Sequence, residues 1–192
     1  MYVFFDTETT GLPRNWKAPI SDLSNWPRMV QLAWADYATD GTCLSSTNYI
    51  IKPEGYTIPT DASRVHGITT QRAQREGVPL GQALAEFAQS LAKATCLVAH
   101  NFSFDEKIVG AEFLRNGQSN QLAGLRSICT MQQSTDFCRI PSNSPYSRYK
   151  WPRLTELHQK LFGKDFEEAH NAAADIAATA KCFWELKRLG IL

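Results

Sequence analysis

The sequence predicts an α/β fold in which a mixed β-sheet is covered by helices. Two patterns carry this prediction: β-favouring segments bounded by turn residues come first, and after residue 53 helical periodicity alternates with further short strands. Chains with this order of elements fold as mixed sheets with helices on their faces. The sequence has neither G-x-G-x-x-G nor G-x-x-x-x-G-K-[ST], so a Rossmann or P-loop site has no support.

The first three predicted strands follow one another along the chain. An apolar run over residues 2–8 ends before the turn signal Thr10-Gly11-Leu12-Pro13, which predicts a strand buried on both faces. Two further strands, over residues 29–37 and 47–51, flank the turn signal Asp40-Gly41. Three strands joined in this way predict an antiparallel meander.

The later elements are predicted as helices and two short strands. Apolar residues recur at helical spacing from Leu80 to Leu91, and a second helix begins at Asn101 or Ser103. The last helix shows alternating three- and four-residue spacing, which predicts one stripe that faces the sheet. That stripe is Ala172, Asp175, Thr179, Cys182, Leu186 and Leu189. The remaining segments are helices ending near 114, over 154–162 and over 172–189, and strands over 96–99 and 127–129.

The composition is that of one ordinary soluble domain. The chain has 192 residues and a formal charge of +1 from 20 basic and 19 acidic side chains. At roughly 150 residues per domain, this length predicts a single domain over residues 1–192. The near-zero charge argues against a protein that coats nucleic acid or anionic membrane by bulk charge. Five cysteines without a C-x-x-C pair predict reduced thiols in a cytoplasmic protein, and neither a signal peptide nor a membrane span is expected.

Four carboxylates lie at positions where burying an unpaired charge would be energetically unfavourable. Asp6 and Glu8 end the first strand two residues apart, so both side chains emerge on one face. Asp105 lies near the start of a helix, and Asp175 lies on the stripe of the last helix. Each has an ordinary alternative: a turn and a solvated strand end for the first pair, and a favourable position in the helix dipole for the others. Their convergence at one edge of the sheet is favoured because a strand end and two helices supply them.

Four converging carboxylates predict a metal site. They carry a charge of about −4, which two divalent hard cations neutralise, and all-oxygen ligation favours Mg²⁺, with Mn²⁺ able to substitute. His170 lies five residues before Asp175. Its imidazole suits a general base for an attacking water, although a single histidine near a helix end is more often structural. Two divalent ions at such a site can activate this water and stabilise the leaving oxygen of a phosphodiester.

Three motifs in this order resemble those of the DEDDh 3′→5′ exonuclease superfamily, which includes the proofreading epsilon subunits of bacterial replicative polymerases and stand-alone exonucleases. They are Asp6-Thr7-Glu8-Thr9-Thr10-Gly11, Val98-Ala99-His100-Asn101-Phe102-Ser103-Phe104-Asp105 and His170-Asn171-Ala172-Ala173-Ala174-Asp175, with His66-Gly67-Ile68-Thr69 between the first and second. Asn171 stands where the tyrosine branch of the superfamily has tyrosine, so the chain resembles the histidine branch. The resemblance implies an RNase H-like fold with a mixed five-stranded sheet, its second strand antiparallel and helices on both faces.

The resemblance also implies catalytic roles. Asp6, Glu8 and Asp175 are expected to hold the metal that carries the attacking water. Asp6 would bridge to a second metal, which Asp105 would support, and His170 would be the general base.

The implied activity is metal-dependent removal of nucleoside 5′-monophosphates from the 3′ ends of single-stranded or frayed DNA. Thr9 would meet the terminal nucleotide, Leu12 would act as an apolar wedge beside the last base, and His66 and Asn101 would lie near the substrate. Two alternatives stay open: a 3′→5′ exoribonuclease acting on RNA or short oligonucleotides, and a non-catalytic module that binds nucleic acid or a polymerase. The sequence equally leaves open whether the protein works alone or with a polymerase.

Residues 139–153 depart from the compact proofreading pattern, as does the long first loop over 13–27. Proline, serine and asparagine without periodicity predict an exposed loop over 139–153. It contains no acid, and its basic and aromatic residues are Arg139, Arg148, Lys150, Arg153, Tyr146, Tyr149 and Trp151. Cations and rings are what single-stranded nucleic acid binding uses. A solvated surface loop is the ordinary alternative.

Overall fold

A computed structural model describes residues 1–164, 166 and 172–192. The described strands form one five-stranded sheet of order β3-β2-β1-β4-β5. The strands are β1 (Tyr2–Thr9), β2 (Met29–Tyr37), β3 (Cys43–Ile50), β4 (Cys96–Ala99) and β5 (Ser127–Cys129). The helices are α1 (Thr60–His66), α2 (Thr70–Glu76), α3 (Leu80–Leu91), α4 (Phe102–Arg115), α5 (Thr130–Gln133), α6 (Thr135–Cys138), α7 (Leu154–Phe162) and α8 (Ala172–Arg188).

The second strand is the one that runs against the others. β2 pairs antiparallel with β1 on one side and with β3 on the other, whereas the β1–β4 and β4–β5 pairs are parallel. The predicted mixed sheet with an antiparallel second strand is therefore confirmed. The antiparallel meander of the first three strands is confirmed as well.

Alternating residues of β1 reach two different cores. Phe5 packs with Phe87 of α3 and Phe113 of α4 on one face of the sheet. Phe4 points the other way and packs with Phe183 of α8. Because neighbouring strand residues face opposite sides, helices cover both faces, as the sequence predicted.

Four short helices were not predicted from the sequence. These are α1, α2, α5 and α6, which have seven, seven, four and four residues. A helix of one or two turns is too short to establish a periodic pattern, and α2 buries Ala73 alone. β3 also begins at Cys43 rather than at residue 47, because most of its side chains on this edge strand are exposed and carry no apolar signal.

The prediction of which residues of the last helix face the sheet is wrong. After Ala172, the residues that face it are each one position later in the chain than predicted. The residues that pack on the sheet are Ala172, Ile176, Ala180 and Phe183. Cys182 and Leu186 of the predicted stripe instead pack against α6 and α7, with Cys138 and Leu157. Since α8 is buried on two sides, two overlapping apolar stripes occur in one helix, and spacing alone does not say which one meets the sheet.

No helix in the described ranges is long and apolar enough to cross a membrane.

Candidate active site

The site lies where β1 extends beyond its parallel neighbour. β4 pairs with β1 through Phe4 and then ends, so the last residues of β1 have an open side. Asp6 and Glu8 lie in this overhang and project from the same face of the strand. The pairing register with β2 shifts between Glu8 and Thr9, and such bulges redirect the chain at the rims of sites.

Three carboxylates meet at this overhang. Asp6, Glu8 and Asp175 each offer one ligand oxygen, and these oxygens all lie within 4.8 Å of one another. Asp175 stands in the first turn of α8, between two small or apolar residues that fix the helix on the sheet, Ala172 and Ile176. The sequence prediction that a strand end and a helix face bring acids together is thus met in the structure.

Asp105 approaches from the opposite side of β1. It is 3% exposed, and its Oδ1 accepts hydrogen bonds from the Thr7 backbone N–H at 3.1 Å and the Thr7 hydroxyl at 2.7 Å. Thr7 lies between Asp6 and Glu8 in sequence but faces the other way. The strand therefore presents two carboxylates directly and holds a third by hydrogen bonds.

The electrostatics of the cluster are those of uncompensated like charges. Burial, followed by the charges of Asp105, Asp175 and Glu8, raises the pKa of Asp6 well above its usual value. Burial first, then Asp175 and Asp105, raise the pKa of Glu8 to about 8. Burial raises the pKa of Asp105 to about 7, although the two Thr7 hydrogen bonds act in the opposite direction. At neutral pH such a cluster retains protons unless a cation balances it.

The donor set fits a hard divalent cation. All the clustered donors are carboxylate oxygens, which Mg²⁺ and Mn²⁺ prefer. Within the part of the chain that the structure describes, the cluster includes no thiol and no imidazole. The raised pKa values show that the fold brings these acids together at an electrostatic cost that a bound cation would remove. Asp105 lies outside the group of three but is near enough for its charge to act on Asp6 and Glu8.

A cleft of about 660 Å³ opens beside the cluster. Asp6 and Asp175 line it, together with two residues predicted from the resemblance, Leu12 and Asn101. Leu12 is 73% exposed, so an apolar side chain of this loop is free to contact a ligand. Asn101 has left-handed backbone geometry, with φ of 76°, at the junction of β4 and α4. The other lining residues are Val65, His100, Arg153, Leu154, Thr155 and Phe166.

The other predicted site residues are placed differently. Thr9 is buried, and its hydroxyl donates to the Gly11 carbonyl at 2.6 Å, which shapes the turn that carries Leu12. His66 is 9% exposed, accepts from the Ile68 backbone N–H at 3.1 Å, and lines a separate pocket beside Gln31. The neighbour of His66, Val65, is the residue of α1 that reaches the cleft. His170 lies outside the described residues.

Two residues of the site were missed by sequence reasoning. The strand position of Thr7 indicates which face it occupies, but nothing in the sequence indicates that Asp105 meets it there. The sequence likewise does not indicate the contacts of His100. Burial lowers the pKa of His100 to about 4, so the ring is neutral. Its Nε2–H donates to the Pro152 carbonyl at 3.0 Å, and its Nδ1 accepts from the Thr130 hydroxyl at 2.9 Å.

This mixed sheet, with carboxylates around the end of its central strand, defines an RNase H-like fold with a metal-type acidic site. The exonuclease family RNase_T has a family model that matches residues 3–183. The chain belongs to this exonuclease family, and so to the DEDDh 3′→5′ exonuclease superfamily that the motifs resemble.

Proteins of similar sequence or structure support this family assignment. The chain is 32% identical over 180 residues to a PolC-type DNA polymerase III of Streptococcus pneumoniae and 34% identical to that of Streptococcus mutans. Each match covers 94% of this chain but 11% of the polymerase, so the chain spans about a tenth of the length of these curated relatives. Exonuclease I of Escherichia coli in complex with a dT13 oligonucleotide has the same fold, with a TM-score of 0.75 at 20% identity over 98% of this chain and 42% of that one.

Proposed function

We propose that this protein hydrolyses phosphodiester bonds at the 3′ ends of single-stranded or frayed DNA and releases nucleoside 5′-monophosphates. The observation that carries the proposal is the cluster of Asp6, Glu8 and Asp175, whose oxygens lie within 4.8 Å of one another beside an open cleft. Family membership supplies the reaction class. The DNA substrate is supported by relatives named as DNA polymerases and by a structural neighbour solved with oligothymidylate.

The cofactor we propose is a pair of Mg²⁺ ions, with Mn²⁺ able to substitute. Asp6, Glu8 and Asp175 would hold the first, while Asp6 and Asp105 would hold the second. When bound, the ions activate the attacking water and stabilise the developing charge on the leaving 3′ oxygen. The chain's own contribution is to gather the four carboxylates and to fix Asp105 through Thr7.

His170 is proposed as the general base. A neutral imidazole takes the proton of the attacking water as the new bond to phosphorus forms, and the leaving oxygen departs with the remaining strand. An imidazole suits this step because its ordinary pKa, near 6.5, lies close to neutral pH.

Substrate contacts are proposed on the rim of the cleft. Leu12 would wedge against the last base and Asn101 would contact the terminal nucleotide, since both line the cleft. Thr9 would act through the turn that carries Leu12, because its hydroxyl is committed to the Gly11 carbonyl. His66 would lie near the substrate; it is buried and borders the pocket beside Gln31.

The biological setting is likewise a proposal. We propose a single exonuclease domain over residues 1–192 that works in the cytoplasm and is not membrane-bound. Because the relatives are PolC-type polymerases, association with a replicative polymerase in proofreading or DNA repair is a further proposal.

The test is a time course on matched DNA and RNA oligomers labelled at the 5′ end, with Mg²⁺. Stepwise shortening of the DNA oligomer with release of 5′-monophosphates supports the proposal. Faster shortening of RNA would assign the protein as an exoribonuclease. Failure to shorten either, together with absence of Mn²⁺ binding in calorimetry, would identify a non-catalytic binding module instead.

A further inference from the structure

The loop over residues 139–153 has the composition of a nucleic-acid contact, and its tip is exposed on the surface. Tyr146 is 96% exposed and Trp151 is 59% exposed, so two large rings face solvent. The loop carries four cations and no acid. One of these, Lys150, is paired with Glu156 at 2.6 Å. Exposed rings together with a cationic excess are typical of surfaces on which single strands stack.

The tip of this loop has a defined shape. Pro141 and Tyr149 form an isolated antiparallel bridge, and the Ser142 backbone N–H donates to the Arg148 carbonyl at 3.2 Å. The guanidinium of Arg148 lies 5.2 Å from the centre of the Tyr149 ring. The segment is therefore a small hairpin that presents Tyr146 at its turn, and a preshaped surface loses less entropy when a ligand binds.

The loop is tied to the proposed active site at its other end. Pro152 is buried, and its carbonyl accepts the hydrogen bond of His100, the residue before Asn101. Arg153, directly after Pro152, lines the same cleft as Asp6. Arg153 is seven positions after Tyr146, a span of at most about 25 Å when fully extended. The hairpin is therefore within reach only of the nucleotides that adjoin the terminal one.

The geometry points to a platform on which Trp151 and Tyr146 stack the bases upstream of the scissile bond, with Arg148 and Arg153 facing the phosphates. The substrate class is single-stranded nucleic acid several nucleotides long, held next to the end that the cleft receives. This inference rests on the proposed function, since it assumes that the cleft holds a 3′ end. A platform in this loop also explains how a chain of near-zero net charge could bind a polyanion, because the positive charge is concentrated in the loop.

The test compares the affinity of a 5′-fluorescent oligothymidylate of about ten nucleotides with that of a dinucleotide. Trp151→Ala and Tyr146→Ala should each weaken binding of the longer oligomer in EDTA about 5- to 150-fold, the range expected for one stacked base. Trp151→Phe keeps a ring and should restore most of the affinity. Leu44→Ala removes an equally exposed apolar side chain on β3 and is the matched control.

Two further readouts separate stacking from a general loss of fold. Arg148→Gln should reduce the slope of log Kd against log salt concentration by about 0.7, the value for one phosphate contact of a single strand. With Mg²⁺, Trp151→Ala should raise the ratio of KM for the longer oligomer to KM for the dinucleotide by the same factor as Kd. Unchanged affinity in both ring-deleted variants would overturn the platform, whether or not the protein cleaves. Loss of affinity in a protein that cleaves neither substrate would overturn the proposed function and leave the platform standing.

Discussion

Thr7 holds Asp105 through two hydrogen bonds to a single oxygen. The backbone N–H of Thr7 lies 3.1 Å from Asp105 Oδ1, and its hydroxyl lies 2.7 Å from the same atom. Thr7 sits between the two carboxylates of β1, so one short stretch of strand positions Asp6, Glu8 and Asp105 together. Three of the four carboxylates are therefore positioned by the strand, and α8 supplies the fourth, Asp175.

Replacing Thr7 by valine tests this positioning. Thr7→Val keeps the branched shape and the backbone N–H but removes the hydroxyl, so the pKa of Asp105 should rise above about 7 because one of the bonds that lowers it is lost. Outer-shell partners of this kind are worth about 10- to 100-fold in metal affinity. Calorimetric titration with Mn²⁺ should show a loss in that range, while Thr7→Ser, which keeps the hydroxyl, should bind nearly as the parent does. Equal affinities for all three proteins would show that the hydroxyl positions nothing.

The metal-free protein should lose stability as pH rises. The pKa of Glu8 is about 8 in the folded protein against an ordinary value of 4.5, so the folded state binds this proton more tightly than the unfolded chain does. The resulting stability is complete below pH 4.5 and is lost as pH rises through about 8. The raised pKa values of Asp6 and Asp105 act in the same direction. Melting temperature in EDTA should therefore fall between pH 5 and pH 8, by about 2–4 °C for each kcal/mol lost.

Glu8→Gln supplies the comparison for that pH series. The variant lacks one of the like charges, so it should melt at a higher temperature than the parent at pH 8 and show a shallower decline. Asp61→Asn alters a carboxylate that is 94% exposed in its side chain and should follow the parent curve. A parent protein whose metal-free melting temperature rises from pH 5 to pH 8 would contradict the assignment of the raised pKa values.

Metal binding should offset this loss of stability. Metal affinity should rise with pH, whereas the stability of the metal-free protein falls. The cluster must release its protons before it can ligate, so affinity for Mg²⁺ or Mn²⁺ should increase as pH rises from 6 to 8. Accordingly, the increase in melting temperature on adding Mn²⁺ should be larger at pH 8 than at pH 6. An increase of equal size at both pH values would indicate binding away from these carboxylates.

His170→Ala addresses the chemical step. Removal of a general base reduces rate by about 10²- to 10⁴-fold, and the loss should appear in kcat with little change in KM. A change confined to KM would make His170 a binding residue.

Much of the fold and part of the site can be predicted from the sequence, for a reason visible in β1. Period-two alternation fixes which side chains share a face, so the pairing of Asp6 with Glu8 follows from spacing alone. Alternation does not say which helix approaches the other face, and the contact between Thr7 and Asp105 depends on that tertiary packing. The same limit explains α8, where burial on two sides produces two stripes and spacing cannot choose between them.

The short helices show a second limit. Val65 reaches the cleft from α1, a seven-residue helix without a sufficient apolar pattern, so the sequence does not predict that it lines the cleft. The resemblance predicts that His66 lies near the substrate; its side chain lines the pocket beside Gln31, and its place near the substrate stays a prediction. Local pattern predicts elements, whereas the residue that faces a cleft depends on how those elements pack.

We propose that the carboxylates at the end of β1 carry out metal-dependent hydrolysis from the 3′ end. The most direct measurement follows a 5′-labelled single-stranded DNA with Mg²⁺, using the parent protein and Asp6→Asn, which keeps the size of the side chain and removes its charge. We expect stepwise shortening by the parent, loss of that activity in EDTA, and a rate at least about 10³-fold lower for Asp6→Asn, since several kcal/mol of metal-dependent stabilisation are removed. Undiminished shortening by a folded Asp6→Asn protein, or shortening that persists in EDTA, would overturn this mechanism.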